Sequence, residues 1–440
     1  MDHSVRNETK GDGRFRRRTV KVEEAQRLLL AAAKEKLAAS ERVPLAECGG
    51  RRLAEPLRAT CDWPPFARSG LDGYAVRAAD TTLASPESPA ALRVIGTVAA
   101  GGLALAAVEP GTAARIMTGA AVPEGADAVV MLEQTAEAML AGGEEAVLVK
   151  AAASPGQHVA PRGEEFRLGS PVVEPGTLLR PGHIALLGTF GYAAVPVYSR
   201  PRVAVYATGS ELLPVEAELS PGRIRDSNSA MVAAMIRQCG GEPLLCGTLP
   251  DEAEAIASAF AAIRQGVDLI VTTGGVSVGD FDAMAELFRK MEIDSEPGYP
   301  DKSGRLLFNR VAMRPGSPTS AALIDGLPII ALSGNPGACF VGFQLFAAPV
   351  IRLLQGDNEP LPPVIKAVLS ADIGKGSPHV RYVRAKIRYG EDGRLAIAPL
   401  TFGKSSMTAS ISEADGLALI PSGSRGAEAG DLVEVVLLPR

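Results

Sequence analysis

VDLIVTTGGVSVGDFD, residues 267–282, is the stretch from which the rest of the 440-residue chain is read. It opens on Val267, Leu269, Ile270 and Val271, apolar and mostly β-branched, the composition of a strand buried on both faces of a parallel sheet. It breaks at Gly274-Gly275 and reaches Gly279, Asp280 and Asp282 just ahead of the helical pattern AMAELFRKM. Strand, glycine turn and helix start bring backbone N–H groups together at the carboxyl end of a sheet. Open α/β sheets bind ligands there, and helix N-termini favour anions. Two carboxylates beside an anion cradle repel a phosphate unless a metal ion lies between them, so the stretch predicts a phosphorylated ligand with Mg2+. Gly-Gly also occurs at α/β turns for steric reasons alone, and the reading therefore needs support from the flanking chain.

Upstream, PRVAVYAT from Pro201 reads as a strand leading into Thr208-Gly209-Ser210-Glu211-Leu212. RDSN then starts the helix AMVAAMIRQC with Ser227 or Ser229 as N-cap. The strand EPLLCGTL and a helix starting at Asp251 complete a βαβαβ rhythm, the signature of a doubly wound domain. Downstream, SAALIDGLPIIALSG is a hairpin turned at Asp325-Gly326. Asn335-Pro336 opens the next helix, with Asn at N-cap and Pro at N1, and aims further free N–H groups at the strand ends. Arg310 and Arg314 flank that rim as bidentate donors for phosphate or another oxyanion, their alternative being ordinary surface ion pairs.

Farther out, 92–175 reads as short strands between Gly/Pro turns, a small antiparallel sheet or barrel. Just ahead of it, SGLDGY forms a tight turn in which Asp72, on spacing alone, is an Asx-turn residue. Thr118 sits on an exposed turn before Pro123. Residues 23–39 form an amphipathic surface helix, and 181–190 a second one that pairs with the early segment across the β insertion. From Pro360 onwards five strand-like runs predict a closing β-barrel or sandwich, with Lys375, Arg381, Arg384 and Lys386 on its basic side. The expected fold is thus multidomain α/β and β. A basic arm spans 1–18, a helical/mixed linker domain 19–60 plus 166–200, and a β-rich domain 61–165. A doubly wound α/β domain spans 201–358, and a C-terminal β-barrel 359–440.

Composition excludes several classes. A net charge of −5 carries no nucleic-acid footprint. The apolar runs are short and broken, so no membrane span is expected. The basic N-terminus has no apolar segment after it and is not a secretory signal. Five cysteines without a CxxC pair and four scattered histidines assemble no zinc site. They read as free thiols of a cytoplasmic protein. No GxGxxG follows a strand, which argues against a nicotinamide-dependent dehydrogenase.

Several stretches together resemble the MoeA family of molybdopterin molybdenumtransferases, to which the E domain of gephyrin is related. They are SGLDGYAVR (69–77), RIMTGAAVPEGADAVVMLEQT (115–135), TGSEL (208–212) with PGRIRDSN (221–228), TTGGVSVGDFD (272–282), MRPGSP (313–318) and SGNPGACF (333–340). The resemblance implies a homodimer of four-domain subunits, with the site between the α/β domain of one subunit and the SGLDGYA-bearing domain of the other. It implies insertion of molybdenum from molybdate into adenylylated molybdopterin, with Mg2+ and release of AMP.

On the family motif, Asp72, Thr118, Glu211, Asp251 and Asp282 form the functional polar set. Glu211, Asp251, Asp280 and Asp282 are the candidate metal ligands. Gly274, Gly275, Ser277, Gly279, Arg310, Arg314, Pro315, Gly316, Ser333, Gly334 and Asn335 are the candidate ligand contacts, with Arg314 and the 333–335 turn on molybdate. Molybdopterin adenylyltransferase and molybdenum-enzyme maturation proteins are the candidate partners; nucleic acid and membrane are not.

The chain departs from the family where lysines are replaced by Arg310, Arg314 and Ser317, where PGNP becomes SGNP at Ser333, and where TGDEL becomes TGSEL. Arginine keeps the charge but not the shape of lysine. A molybdopterin adenylyltransferase is the nearest rival, but its Gly-Gly loop continues TGxxxRD, and here it continues Val276-Ser277-Val278-Gly279. A non-catalytic scaffold of the gephyrin type is the other, against which the retained carboxylates count.

Overall fold

The computed structural model describes residues 19–36, 39–276, 283–294, 304–374, 376–390, 393–400, 408–423 and 425–439. The basic arm 1–18, Ser277, Gly279, Asp280, Asp282 and Lys375 lie outside the described residues.

The central sheet has six strands in the order Glu242–Leu249, Arg202–Thr208, Leu269–Thr273, Leu327–Leu332, Ser320–Ile324, Gly304–Phe308. The first four run parallel, and the last two are added antiparallel. Alternation along each inner strand sorts its side chains between two cores. Val203, Val205, Leu269, Val271 and Ile330 pack with helix Asn228–Gln238 and the long helical run from Pro336 to Leu354. Ala204, Tyr206, Ile270, Ile329 and Ala331 pack under helices Ala253–Ile263 and Ala283–Asp294. Both faces are thus covered, as an all-parallel core requires. The Asp325-Gly326 hairpin turn is present, both residues holding positive φ, 48° and 76°.

The Pro336–Leu354 run is long and apolar enough to cross a membrane, yet 89% of its 18-residue window is buried inside the protein, where it forms the core helix of this domain. It contains a π-helical stretch, Phe343–Ala347.

Helix Val22–Ala33 departs from the expected linker domain. Its apolar stripe, Ala25, Leu29 and Ala33, enters the core beneath the α/β sheet, and Gln26 Nε2 donates to the Leu345 carbonyl at 3.0 Å. Thr19–Val20 also pairs in parallel with Arg310–Val311. The two pieces of the linker join through strands instead. Ser40–Pro44 pairs with Ala194–Tyr198, and Leu57–Arg58 with Pro171–Val173. The Arg52 guanidinium ties the linker to the end of the α/β domain by pairing with Asp357, while its Nη1 donates to the Gly176 carbonyl at 2.7 Å.

The inserted β domain is a six-stranded sheet, antiparallel except where Ala90–Val98 runs parallel to Thr112–Ile116. The C-terminal strands Val364–Leu369, Val380–Tyr389, Leu395–Pro399, Gly416–Ile420 and Leu432–Leu437 close on themselves, because Val380–Tyr389 pairs with both Leu395–Pro399 and Gly416–Ile420. The result is a five-stranded barrel. A short strand from the α/β region, Met313–Arg314, adds to it beside Val380-Arg381.

Candidate functional site

A cleft of about 980 Å³ lies at the carboxyl ends of the parallel strands, walled on the far side by the barrel. Sheet geometry places it there: Thr208, Thr273 and Leu332 end three adjacent strands, and the chain must turn at each.

The Gly274-Gly275 turn is sterically committed. Its φ angles are +89° and +65°, and a Cβ on Gly274 would lie 2.6 Å from the Thr208 carbonyl oxygen and 2.7 Å from its Oγ1. The turn is fastened by Gly274 N–H donating to the Leu332 carbonyl at 2.9 Å. Next to it lies the Ser333-Gly334-Asn335 turn; a Cβ on Gly334 would stand 3.4 Å from the Gly274 Cα. Asn335 is the N-cap of the helix that follows, as its sequence predicts, but its side chain makes no capping bond.

Glu211 and Asp251 both line the cleft and are exposed. The Glu211 carboxylate folds back over the preceding turn so closely that a Cβ on Gly209 would clash with it. The helix expected to begin at Asp251 has Glu252 as its N-cap, which leaves Asp251 on the loop at the rim. Among the described residues no three His, Cys, Asp or Glu side chains stand together as a ready-made metal cage.

Across the cleft, the parallel pairing of Met313–Arg314 with the barrel places Arg314 directly beside Arg381, and both line the cavity. Guanidinium groups on one cavity wall can grip an oxyanion by charge-assisted, bidentate hydrogen bonds. Arg225 and the buried Arg384 add cationic groups to the same lining, and burial lowers the affinity of Arg384 for its proton. Pro315 and Gly316 complete this wall.

Arg310 is placed differently from its expected role. It does not line the cleft. Its strand pairs with Thr19, and its Nε donates to Ser317 Oγ at 3.2 Å, so it braces a wall residue from behind.

Asp72 and Thr118 are brought together, but on the inserted β domain and outside this cleft. Asp72 Oδ1 accepts from the Thr118 hydroxyl and from its backbone N–H, both at 2.6 Å. These two bonds, the hydroxyl's first, hold the exposed carboxyl below its usual range, with a smaller contribution from the charge of Arg115.

Two cleft residues were read from the sequence only as helix-start residues. Asp226, not Ser227, supplies the cap bond, accepting from Ser229 N–H at 3.0 Å. Asn228 is 9% exposed, and its Nδ2 donates to the Gly334 carbonyl at 2.8 Å. The RDSN tetrapeptide was the available signal; the cross-loop contact depends on the folding of residues more than 100 positions apart.

Comparisons with known proteins cover the chain nearly end to end. The family model described as MoeA N-terminal region (domain I and II) matches residues 20–191, the probable molybdopterin binding domain matches 204–353, and the MoeA C-terminal region (domain IV) matches 366–438. A molybdopterin molybdenumtransferase of Bacillus subtilis (strain 168) is 41% identical over 426 residues, covering 96% of this chain and 95% of that one. One from Staphylococcus aureus (strain COL) is 40% identical over 385 residues, 88% of each. Among solved structures, a molybdopterin biosynthesis MoeA protein from Pyrococcus horikoshii OT3 superposes with a TM-score of 0.78 at 30% identity, over 96% of this chain and 100% of that one.

Proposed function

From the premise that this chain belongs to the MoeA family of molybdopterin molybdenumtransferases, we propose that its cleft inserts molybdenum from molybdate into adenylylated molybdopterin, releasing AMP. The observation that carries the reading is that Arg314 and Arg381, neighbours by strand register, line the same cleft as the Gly274-Gly275 and Ser333-Gly334-Asn335 turns. Such an arrangement fits a ligand with several oxyanionic groups.

Each part of the site then has a task. The backbone N–H groups around Gly274-Gly275 and the guanidinium groups of Arg314 and Arg381 hold the phosphates of the adenylate. The Ser333-Gly334-Asn335 turn, with Arg314, holds the tetrahedral molybdate against the dithiolene. Glu211 and Asp251 fit a divalent ion of the Mg2+ type, which is held by one or two carboxylates together with substrate phosphate and so needs no ready-made protein cage. Asp280 and Asp282 would add to that carboxylate set. When bound, the ion neutralises charge that develops on the phosphate as the adenylate bond is cleaved.

Asp72 and Thr118 would reach the same cleft from the second subunit of a homodimer, which accounts for a prepared carboxylate–hydroxyl pair standing outside it within one chain. Five free thiols suit a reducing cytoplasm.

The test is AMP release from adenylylated molybdopterin with Mg2+ and molybdate, alongside Asp282→Ala. Molybdate-dependent release that the substitution abolishes supports the reading. Tight binding of the ligand without release would instead make the protein a carrier or scaffold.

A further inference from the structure

We infer that Asn228 is a positioning residue for the oxyanion-holding turn, its side-chain amide fixing Gly334 and thereby the orientation of Ser333 and Asn335. The inference rests on the function proposed above.

Three observations carry it. Asn228 is the first residue of helix Asn228–Gln238, it lines the cleft, and it is only 9% exposed. Its Nδ2 donates to the Gly334 carbonyl at 2.8 Å. Among the described residues its buried Oδ1 has no hydrogen-bond partner. A carbonyl only accepts, so the amide must turn its nitrogen towards Gly334, and the orphaned oxygen is the consequence of that orientation. A buried acceptor left unpaired is unfavourable, and an apolar side chain of similar volume would avoid it. The carboxamide is thus committed to one bond, and that bond reaches across to the 333–335 turn.

The two turns at the strand ends are anchored in different ways. The Gly274-Gly275 turn is secured by its own N–H on Leu332 and by close packing on Thr208, neither of which involves Asn228. Within the other turn, Asn335 N–H bonds Ser333 Oγ locally at 3.3 Å, while the Gly334 carbonyl is tied to Asn228. Removing the amide therefore frees the molybdate-holding turn and leaves the phosphate-holding turn in place. Specificity between the two substrates separates at this residue.

The experiment compares wild type with Asn228→Ala and Asn228→Asp; the latter keeps the shape but sets an acceptor against the Gly334 carbonyl. KM is measured separately for molybdate and for adenylylated molybdopterin, and amide hydrogen exchange is followed at residues 333–335. In both variants the KM for molybdate should rise at least tenfold, the KM for the organic substrate should stay within twofold, and exchange in the turn should accelerate. Equal rises in both KM values, or wild-type exchange rates in both variants, would overturn it. A wild type that releases no AMP would instead count against the proposed function, and exchange across the turn would still decide the role of Asn228. If Asn228→Ala does not fold, Asn228→Asp carries the comparison alone.

Discussion

Asp72 Oδ1 accepts two hydrogen bonds from one residue, the hydroxyl and the backbone N–H of Thr118, each at 2.6 Å. Bonds to the ionised form lower a carboxyl pKa, and here the hydroxyl is the leading cause. Thr118→Val removes that bond, so the Asp72 carboxyl should titrate closer to its ordinary value in the variant than in wild type. The sign follows from linkage: a depressed folded-state pKa contributes stability above the unfolded value, and this is lost as pH falls through the folded one. The variant's deficit should thus appear at neutral pH and vanish in acid. Carboxyl carbon chemical shifts followed through an acid titration check the pKa, and unchanged shifts would refute the assignment.

Gly274→Ala places a Cβ 2.6 Å from the Thr208 carbonyl oxygen at a φ of +89°. Positive φ alone costs a non-glycine residue roughly 1–3 kcal/mol, and the clash adds to it. The expected outcome is a lowered thermal midpoint with ligand binding lost even where the protein remains folded. A variant that binds the adenylated ligand normally would show that the turn is merely steric.

Arg52 and Asp357 form an ion pair with side-chain exposures of 19% and 9%. Removing one partner of a buried pair strands the other, at about 3–5 kcal/mol. Arg52→Ala should therefore destabilise the protein by roughly that amount in denaturant unfolding, with Arg52→Met and Asp357→Leu combined costing much less. A single-variant loss under about 1 kcal/mol would mean that water or another group takes up the charge.

Arg314→Ala removes one of the two register-paired arginines that line the cleft and should raise KM for the anionic substrates by tenfold or more. Arg314→Lys should recover only part, because a lysine keeps the charge without the bidentate fork. Steady-state rates of AMP release distinguish these outcomes, and an Arg314→Ala protein with unchanged KM would place the anion elsewhere.

Chelation by EDTA should stop AMP release, and Mg2+ should restore it. Glu211→Gln should demand a higher Mg2+ concentration for half-maximal rate, since it removes one anionic oxygen donor. A metal response identical to wild type would remove Glu211 from the ligand set.

Much of the α/β domain was legible because its signals are local. The mostly β-branched run at 269–273, the Asp325-Gly326 turn and the Asn335-Pro336 helix start are each decided by neighbouring residues, and each is found where expected. Helix Val22–Ala33 shows where that legibility ends. Helical spacing marks Ala25, Leu29 and Ala33 as one buried stripe, but it does not say which core receives them, and they lie under a sheet whose strands begin some 180 residues later. The site divides in the same way. The cleft-lining places of Glu211, Asp251, Gly274 and Arg314 follow from motifs carried on single turns, whereas the bond from Asn228 to Gly334 joins turns that are distant in the chain. Arg310 lies off the cleft for a related reason: charge and nearness in sequence to Arg314 do not reveal which way a strand residue faces, and here its Nε is bonded to Ser317 Oγ instead.

The strand Met313–Arg314 belongs by sequence to the α/β half, yet it is hydrogen-bonded into the barrel beside Val380-Arg381. Cutting the chain at the apparent boundary near residue 359 would thus do more than delete a wall. It would strip the backbone of Arg314 of its ladder and leave a bare edge in the wall of the cleft. The two halves share one arginine's scaffold, and a fragment that folds well need not contain the site at all.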